Sequence, residues 1–194
     1  DPPVRTAGTI TALTVNEDFS NSTAVTLGLS GLTYGPGGGS DESSSQTLTY
    51  TITSIPSFIT LWKADGVTQV TTATTGLTQA DIQGLKYKTV ANANGTANIT
   101  WTVTDSGSNI SPNTNTLTES LAVTVTAVND APVRTAGTIT ALTVNEDFSN
   151  STAVNLGLSG LTYGPGGGAD EATQTLTYTI TSIDRKSTRL NSSH

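Results

Sequence analysis

Six oxygen-bearing side chains of this 194-residue chain would converge where one repeat of the sequence meets the next: Glu17, Asp18, Asn129, Asp130, Asp170 and Glu171. Carboxylates and an amide are the donors a hard divalent cation takes, about six to eight oxygens at a time. Gathered without such an ion they repel, since two like charges ~4 Å apart cost about 4 kcal/mol at a surface-like dielectric. Asp1, Asp41, Glu42 and Asp105 would form half of a preceding site of the same kind, and Glu146 with Asp147 half of a following one. The alternative is that these are solvated acidic turns in an acidic protein.

A repeat would bring them together. Asp1-Pro2-Pro3-Val4-Arg5-Thr6-Ala7-Gly8 returns as Asp130-Ala131-Pro132-Val133-Arg134-Thr135-Ala136-Gly137, and NEDF, GLTYGPGGG and QTLTYTITSI recur at the same offset of 129 residues (130 − 1). Such self-similarity marks one domain copied in tandem. We expect a complete repeat over 1–129 and a truncated second one, with its first three strands, over 130–183. Pro3 and Pro132 keep the chain extended at the start of each copy. In a sandwich the chain enters at one pole and leaves at the other. The first turn then lies at the exit pole and the loop after the second strand at the entry pole. Glu17 and Asp18 should therefore face Asn129 and Asp130, and Asp170 and Glu171 should face the same linker from the second copy.

The elements that must hold these turns read as strands. Thr, Val and Ile suit a pleated, half-buried surface. Strands are expected at 9–15, 23–29, 47–53, 59–63, 67–72, 85–89, 96–104 and 117–128. Asp65-Gly66 marks a hairpin turn, and Thr78 an N-cap for one helical turn over 77–82. Alternation is clean at Leu48, Tyr50 and Ile52, at Ile99, Trp101 and Val103, and at Leu121, Val123 and Val125. Seven or eight short strands with turn signals between them give an all-β fold, an antiparallel β-sandwich. The period exceeds the ~100 residues of a plain immunoglobulin-like domain, and the hairpin at Asp65-Gly66 and a long loop over 106–116 take up the difference. The second copy should expose its apolar face.

Composition narrows the function. Residues 1–183 carry five basic and fourteen acidic side chains, a net charge of −9, with no His, Cys or Met. Nucleic acid is excluded as a partner, because phosphate binding depends on clustered Lys and Arg. Ser-His and thiol catalysis lack their residues, and a paired-carboxylate mechanism needs two acids flanking a cleft, so no enzyme is expected. No apolar run is long enough to cross a membrane. The last eleven residues, DRKSTRLNSSH, match neither copy and resemble a translated sequencing adapter; residues 184–194, with the one His, are expected to take no part in the fold.

The VNED turn, the TVTDSG that ends a late strand and the closing VTAVNDAPV resemble the cadherin-like, immunoglobulin-like tandem repeats of large bacterial surface adhesins. The resemblance spans the first copy and the second up to residue 183. It implies an extracellular, cell-surface location, a role in cell adhesion, calcium binding at repeat junctions, and neighbouring repeats and cell-surface glycans or proteins as partners. The linker departs from the fuller acidic pattern of that family, with Ala127-Val128 before Asn129-Asp130 and Ala131 after it.

Other features have plainer accounts. The Gly35–Glu42 loop lacks the Lys-Ser/Thr of a phosphate loop, and Asp41-Glu42 would repel phosphate. Trp101 is in phase with the core. Trp62 is out of phase with Leu61 and could stack on a sugar, which makes a carbohydrate-binding β-sandwich module the alternative function. Thr47, Thr49, Thr51 and Thr53 form a ladder that could order water or simply face solvent.

Overall fold

The computed structural model describes residues 1–110, 113–145, 147–148 and 151–183, apart from the side chain of Asp41. The chain divides into two compact units, Asp1–Asn129 with Gly167–Asp170, and Asp130–Gly166 with the residues from Glu171 onward. The expected adapter-like tail and Glu146 lie outside the described residues.

The first unit is all-β, with two short helices. In chain order it holds β1 (Val4–Ala7), β2 (Leu13–Asn16), β3 (Val25–Thr26), β4 (Thr33–Gly35), α1 (Ser40–Ser43), β5 (Leu48–Ser54), β6 (Ile59–Trp62), β7 (Gln69–Val70), α2 (Gln79–Gln83), β8 (Lys86–Thr89), β9 (Gly95–Asp105) and β10 (Thr116–Thr126). One four-stranded sheet has the order β2-β10-β9-β5, a second the order β3-β8-β6-β7, and β1 pairs with β4 as a ribbon. Ile52, Ile99, Trp101, Leu121 and Val123 of the first sheet and Ile59, Leu61, Val70 and Tyr87 of the second are buried in one apolar cluster. Each such side chain contributes roughly 1.5–3 kcal/mol by leaving water, so the period-two alternation fixes the register of the long β9–β10 pair. The hydroxyls on the outer face bond across strands, Thr53 to Thr100 at 2.7 Å and Thr96 to Thr124 at 3.2 Å. Within the threonine ladder Thr53 thus pairs with a hydroxyl of β9, and Thr49 donates to the Thr104 carbonyl oxygen at 3.2 Å.

Of the strand expected at 9–15 only the end forms, as β2, and a separate strand, β1, precedes it. β1 pairs with β4, whereas β2 runs parallel to β10, with Val15 opposite Val125. The sandwich is therefore antiparallel except at that edge. Gly8 makes the crossing: its φ is +83°, and a Cβ there would lie 2.4 Å from the Gly31 carbonyl oxygen. A side chain at that position would hold the two segments apart. The strand expected at 23–29 shortens to β3, because Gly28 takes φ +84°. The hairpin at Asp65-Gly66 forms, with Asp65 Oδ1 accepting the N–H groups of Val67 and Thr68 at 2.8 and 2.9 Å. Thr78 caps α2 in a reciprocal box with Asp81.

The second unit pairs β11 (Val133–Ala136) with β12 (Thr162–Gly164) in the register of β1 and β4, Arg134 opposite Tyr163 as Arg5 is opposite Tyr34. Tyr163 and Tyr178 meet edge to face at 5.8 Å and 64°, the values of Tyr34 and Tyr50. Positive φ recurs at Gly137, Gly157, Gly166, Gly167 and Asp147, the counterparts of Gly8, Gly28, Gly37, Gly38 and Asp18. Leu142, Val144, Leu156, Tyr178 and Ile180 are exposed. Local sequence alone therefore reproduces the ribbon and the turns, while an uncovered apolar face accompanies the lack of a pairing strand among the described residues.

Candidate cation site at the entry end of the repeat

The glycine loop brings the chain entry and the carboxylates together. Gly37 and Gly38 have φ +85° and +57°, a left-handed backbone that glycine adopts without strain. A Cβ on Gly37 would lie 2.1 Å from the Pro2 carbonyl oxygen. One on Gly38 would lie 2.1 Å from Glu42 Oε2 and 3.1 Å from Asp1 Oδ2. The loop is bare so that backbone and two carboxylates can pass close beneath it. α1 then carries Glu42, whose Oε1 accepts a hydrogen bond from the Asp1 amino group at 3.0 Å.

Two further segments complete the cleft. Gln46 lies between α1 and β5, its N–H bonded to the Glu42 carbonyl oxygen at 3.0 Å. Asp105 ends β9 on the inward side and is 4 % exposed. Its Oδ1 accepts the Gly107 N–H at 2.7 Å, and Asn115 Nδ2 bridges the Asp105 and Gly107 carbonyl oxygens. Asp1, Glu42, Gln46, Asp105, Ser108 and Asn113 line a cleft of 170 Å³.

Its chemistry is that of acceptors without donors. Glu42 Oε2, Gln46 Oε1 and Asp105 Oδ2 are buried and have no hydrogen-bond partner. Burying a charged acceptor unpaired is costly, and an all-oxygen set is met by a hard cation such as Ca²⁺. Among the described residues no three acidic side chains stand close enough to hold a metal by themselves, so amide, hydroxyl or backbone oxygens would share the coordination. Of the expected half-site, Asp1, Glu42 and Asp105 are brought to one cleft, and the side chain of Asp41 is outside the described residues. Gln46, Ser108 and Asn113 carry no sequence signal of their own; they enter because α1 and the loop after β9 meet.

The six junction residues divide between the units. Glu17 is 3 % exposed. Its Oε1 accepts the Val128 N–H at 2.6 Å and its Oε2 the Asn94 amide at 3.2 Å, while its own N–H bonds the Thr126 carbonyl oxygen. The first turn thus lies beside the departing chain, as expected for the exit end, but both Glu17 oxygens already have donors. Asp18, at φ +59°, accepts from Asn21 at 2.7 Å and from the Asn92 N–H at 3.0 Å. Asn129 and Asp170 are exposed. In the second unit Glu171 is 1 % exposed; its Oε1 accepts the Asp130 N–H, and its Oε2 is unpartnered. Asp130 and Glu171 therefore repeat the relation of Asp1 and Glu42, with a peptide N–H where the first copy has an amino terminus.

Trp101 is fully buried in the core, whereas Trp62 is half-buried on the outer face of β6 with the Lys88 ammonium 4.2 Å from its ring centre. No helix among the described residues is long and apolar enough to cross a membrane. No family model, curated protein or solved structure matches the chain.

Proposed function

We propose that the chain is a structural and adhesive repeat module of a large extracellular bacterial surface protein, and that calcium stiffens the ends of its repeats. One observation carries this reading. In each copy a glutamate, half-buried in the first and buried in the second, accepts a hydrogen bond from the nitrogen of the first residue of the incoming chain with one oxygen and leaves the other, buried oxygen unpartnered, as Glu42 does with Asp1 and Glu171 with Asp130. A cation bound by the free oxygen would tie the incoming chain to the sandwich and limit bending there. Asp1, Glu42, Gln46 and Asp105 would supply ligands in the first copy, with Asp105 neutralised in the same step. The closeness of the copies supports a spacer, since tandem identity serves length and stiffness.

Thermal unfolding of the chain in millimolar calcium, in millimolar magnesium and in chelator tests the reading. A ligand that binds only the folded state stabilises it, by about 2.7 kcal/mol at a hundred times its dissociation constant. Calcium should raise the midpoint more than magnesium does. Identical curves in calcium and chelator would remove the basis of the calcium role.

A further inference from the structure

We propose that the outer face of the β3-β8-β6-β7 sheet is a docking surface for an anionic, uronate-bearing polysaccharide, held by Trp62, Lys86 and Lys88. The register builds this face. Trp62 lies opposite Lys86, and Thr60 opposite Lys88; directly opposed residues project to the same side of a sheet. Thr26 on β3 and Gln69 on β7 extend the row of Lys86 and Trp62. The Trp62 indole N–H bonds Thr60 Oγ1 at 2.9 Å within its own strand. The Lys88 ammonium stands 4.2 Å from the ring centre, a cation–π contact that fixes its position. Lys86 places a second ammonium two residues away on the same strand, ~7 Å along it.

Charge decides the class of partner. The chain carries a net charge of −7, yet the lysines among the described residues all lie on or beside this sheet. Lys63 is paired with Asp81 at 3.1 Å, while neither Lys86 nor Lys88 has an ion-pair partner among the described residues. Two unneutralised cations on one face of an acidic protein attract a polyanion. A protein partner would be expected to find an apolar patch at the centre of its interface. These rows offer one aromatic ring among hydroxyls, an amide and ammonium groups, with no aliphatic side chain. Hydroxyls and an amide match sugar hydroxyls, the ring holds the Lys88 ammonium in place, and the two ammonium groups match carboxylates along the polymer.

The test is retention of the full chain on immobilised polygalacturonate, with dextran and polyglutamate as comparison surfaces, in chelator so that calcium cannot bridge acidic protein to acidic sugar. Its outcome is therefore independent of the calcium reading. Retention by polygalacturonate should weaken with added salt, fall several-fold in Lys86→Gln and in Lys88→Gln, and be lost in the double variant. Both substitutions are on the outer face, and an unchanged melting curve verifies the fold. Lack of retention, or a double variant that binds like the parent chain, would overturn the proposal. Equal retention on polyglutamate would assign the face to an acidic polypeptide instead, and equal retention on dextran would leave only neutral sugar binding; either result also overturns it.

Discussion

Arg5 Nε stands 3.3 Å from Glu119 Oε1, so the one charged residue that β10 turns toward the core is answered from the entry ribbon. Glu119 occupies the inward row of Leu117, Leu121 and Val123, opposite Trp101 on β9. Breaking a buried pair by removing one partner costs about 3–5 kcal/mol. Arg5 is 35 % exposed, and solvent screening reduces this to about 1–2 kcal/mol for Arg5→Ala. Replacing both partners, as Arg5→Met with Glu119→Leu, should recover most of the loss, because no unpaired charge stays in the core. Arg134 holds the equivalent place in the second unit and has no carboxylate partner among the described residues. Arg134→Ala should therefore leave the urea midpoint of the first unit unmoved.

Asp105 supplies a prediction whose sign depends on the cation. Its Oδ2 is buried and unpartnered in the cleft that Asp1 and Glu42 also line, while its Oδ1 is held by the Gly107 N–H. Asp105→Asn keeps an oxygen for Gly107 and removes a negative charge. In chelator the variant should melt higher than the parent, since repulsion and desolvation are relieved. In calcium it should melt lower, since a ligand is gone. A variant that shifts the midpoint in the same direction under both conditions would contradict the cation assignment.

Gly38 and Gly28 separate backbone strain from site geometry. Both have positive φ, but a Cβ on Gly28 meets nothing within 4 Å, whereas one on Gly38 meets Glu42 Oε2 at 2.1 Å. Each change to Ala should cost about 1–2 kcal/mol for the left-handed backbone. Gly38→Ala alone should also displace Glu42 and abolish the stabilisation by calcium, read as the difference in midpoint between calcium and chelator.

The sequence carries the fold where apolar residues alternate and loses it where glycine redirects the chain. Ile99, Trp101 and Val103 announced β9, and Thr78 announced the cap of α2, because side-chain period and capping chemistry are local. The division of residues 4–16 into β1 and β2 depends on the close approach of Gly8 to Gly31, a contact between distant segments. The parallel pairing of β2 with β10 is set by the same crossing. At the entry end, Asp1, Glu42 and Asp105 were legible because acids in turns at one pole must meet; Gln46 and Asn113 were not, since an amide in a loop has no periodicity. At the exit end the turn was placed beside the linker, but the bond from Val128 N–H to Glu17 was not legible, because it joins distant segments of the chain. Trp62 was legible from its phase, and the lysines that give its face a charge preference were not, because they come from β8.

Acid should weaken the hairpin of β6 and β7 first. Three hydrogen bonds, from the Thr68 hydroxyl and the N–H groups of Thr68 and Val67, hold the Asp65 carboxyl down to about 2 from an ordinary 3.8. Burial alone would raise Asp81, but the N–H and hydroxyl of Thr78 and the Lys63 ammonium outweigh it and lower its pKa. A carboxylate with a depressed folded pKa binds fewer protons folded than unfolded, so its contribution is full above the unfolded value and is lost as pH falls through the folded one. Stability should therefore decline between about pH 4 and pH 2. Measured as midpoint against pH, that slope should flatten in the double variant Asp65→Asn, Asp81→Asn.

Alkali should act through buried tyrosine. Burial pushes the Tyr34 hydroxyl up to about 12 from an ordinary 10.0, and nearby Glu119 adds to the rise. Burial likewise raises Tyr50 and Tyr87. Here the folded state holds the proton more tightly, so stability is unaffected below the unfolded value and is lost as pH climbs from about 10 toward 12. Tyr34 sits where the ribbon meets Glu119, so its ionisation would set a phenolate beside that carboxylate and oppose closure of the ribbon. Tyr34→Phe removes the titrating group while keeping the ring against Tyr50. The variant should hold its midpoint further into alkali than the parent, and absorbance of ionised tyrosine followed alongside the melt should show the late-titrating phenol missing. Equal alkaline loss in parent and variant would place the sensitivity at Tyr50 and Tyr87 instead.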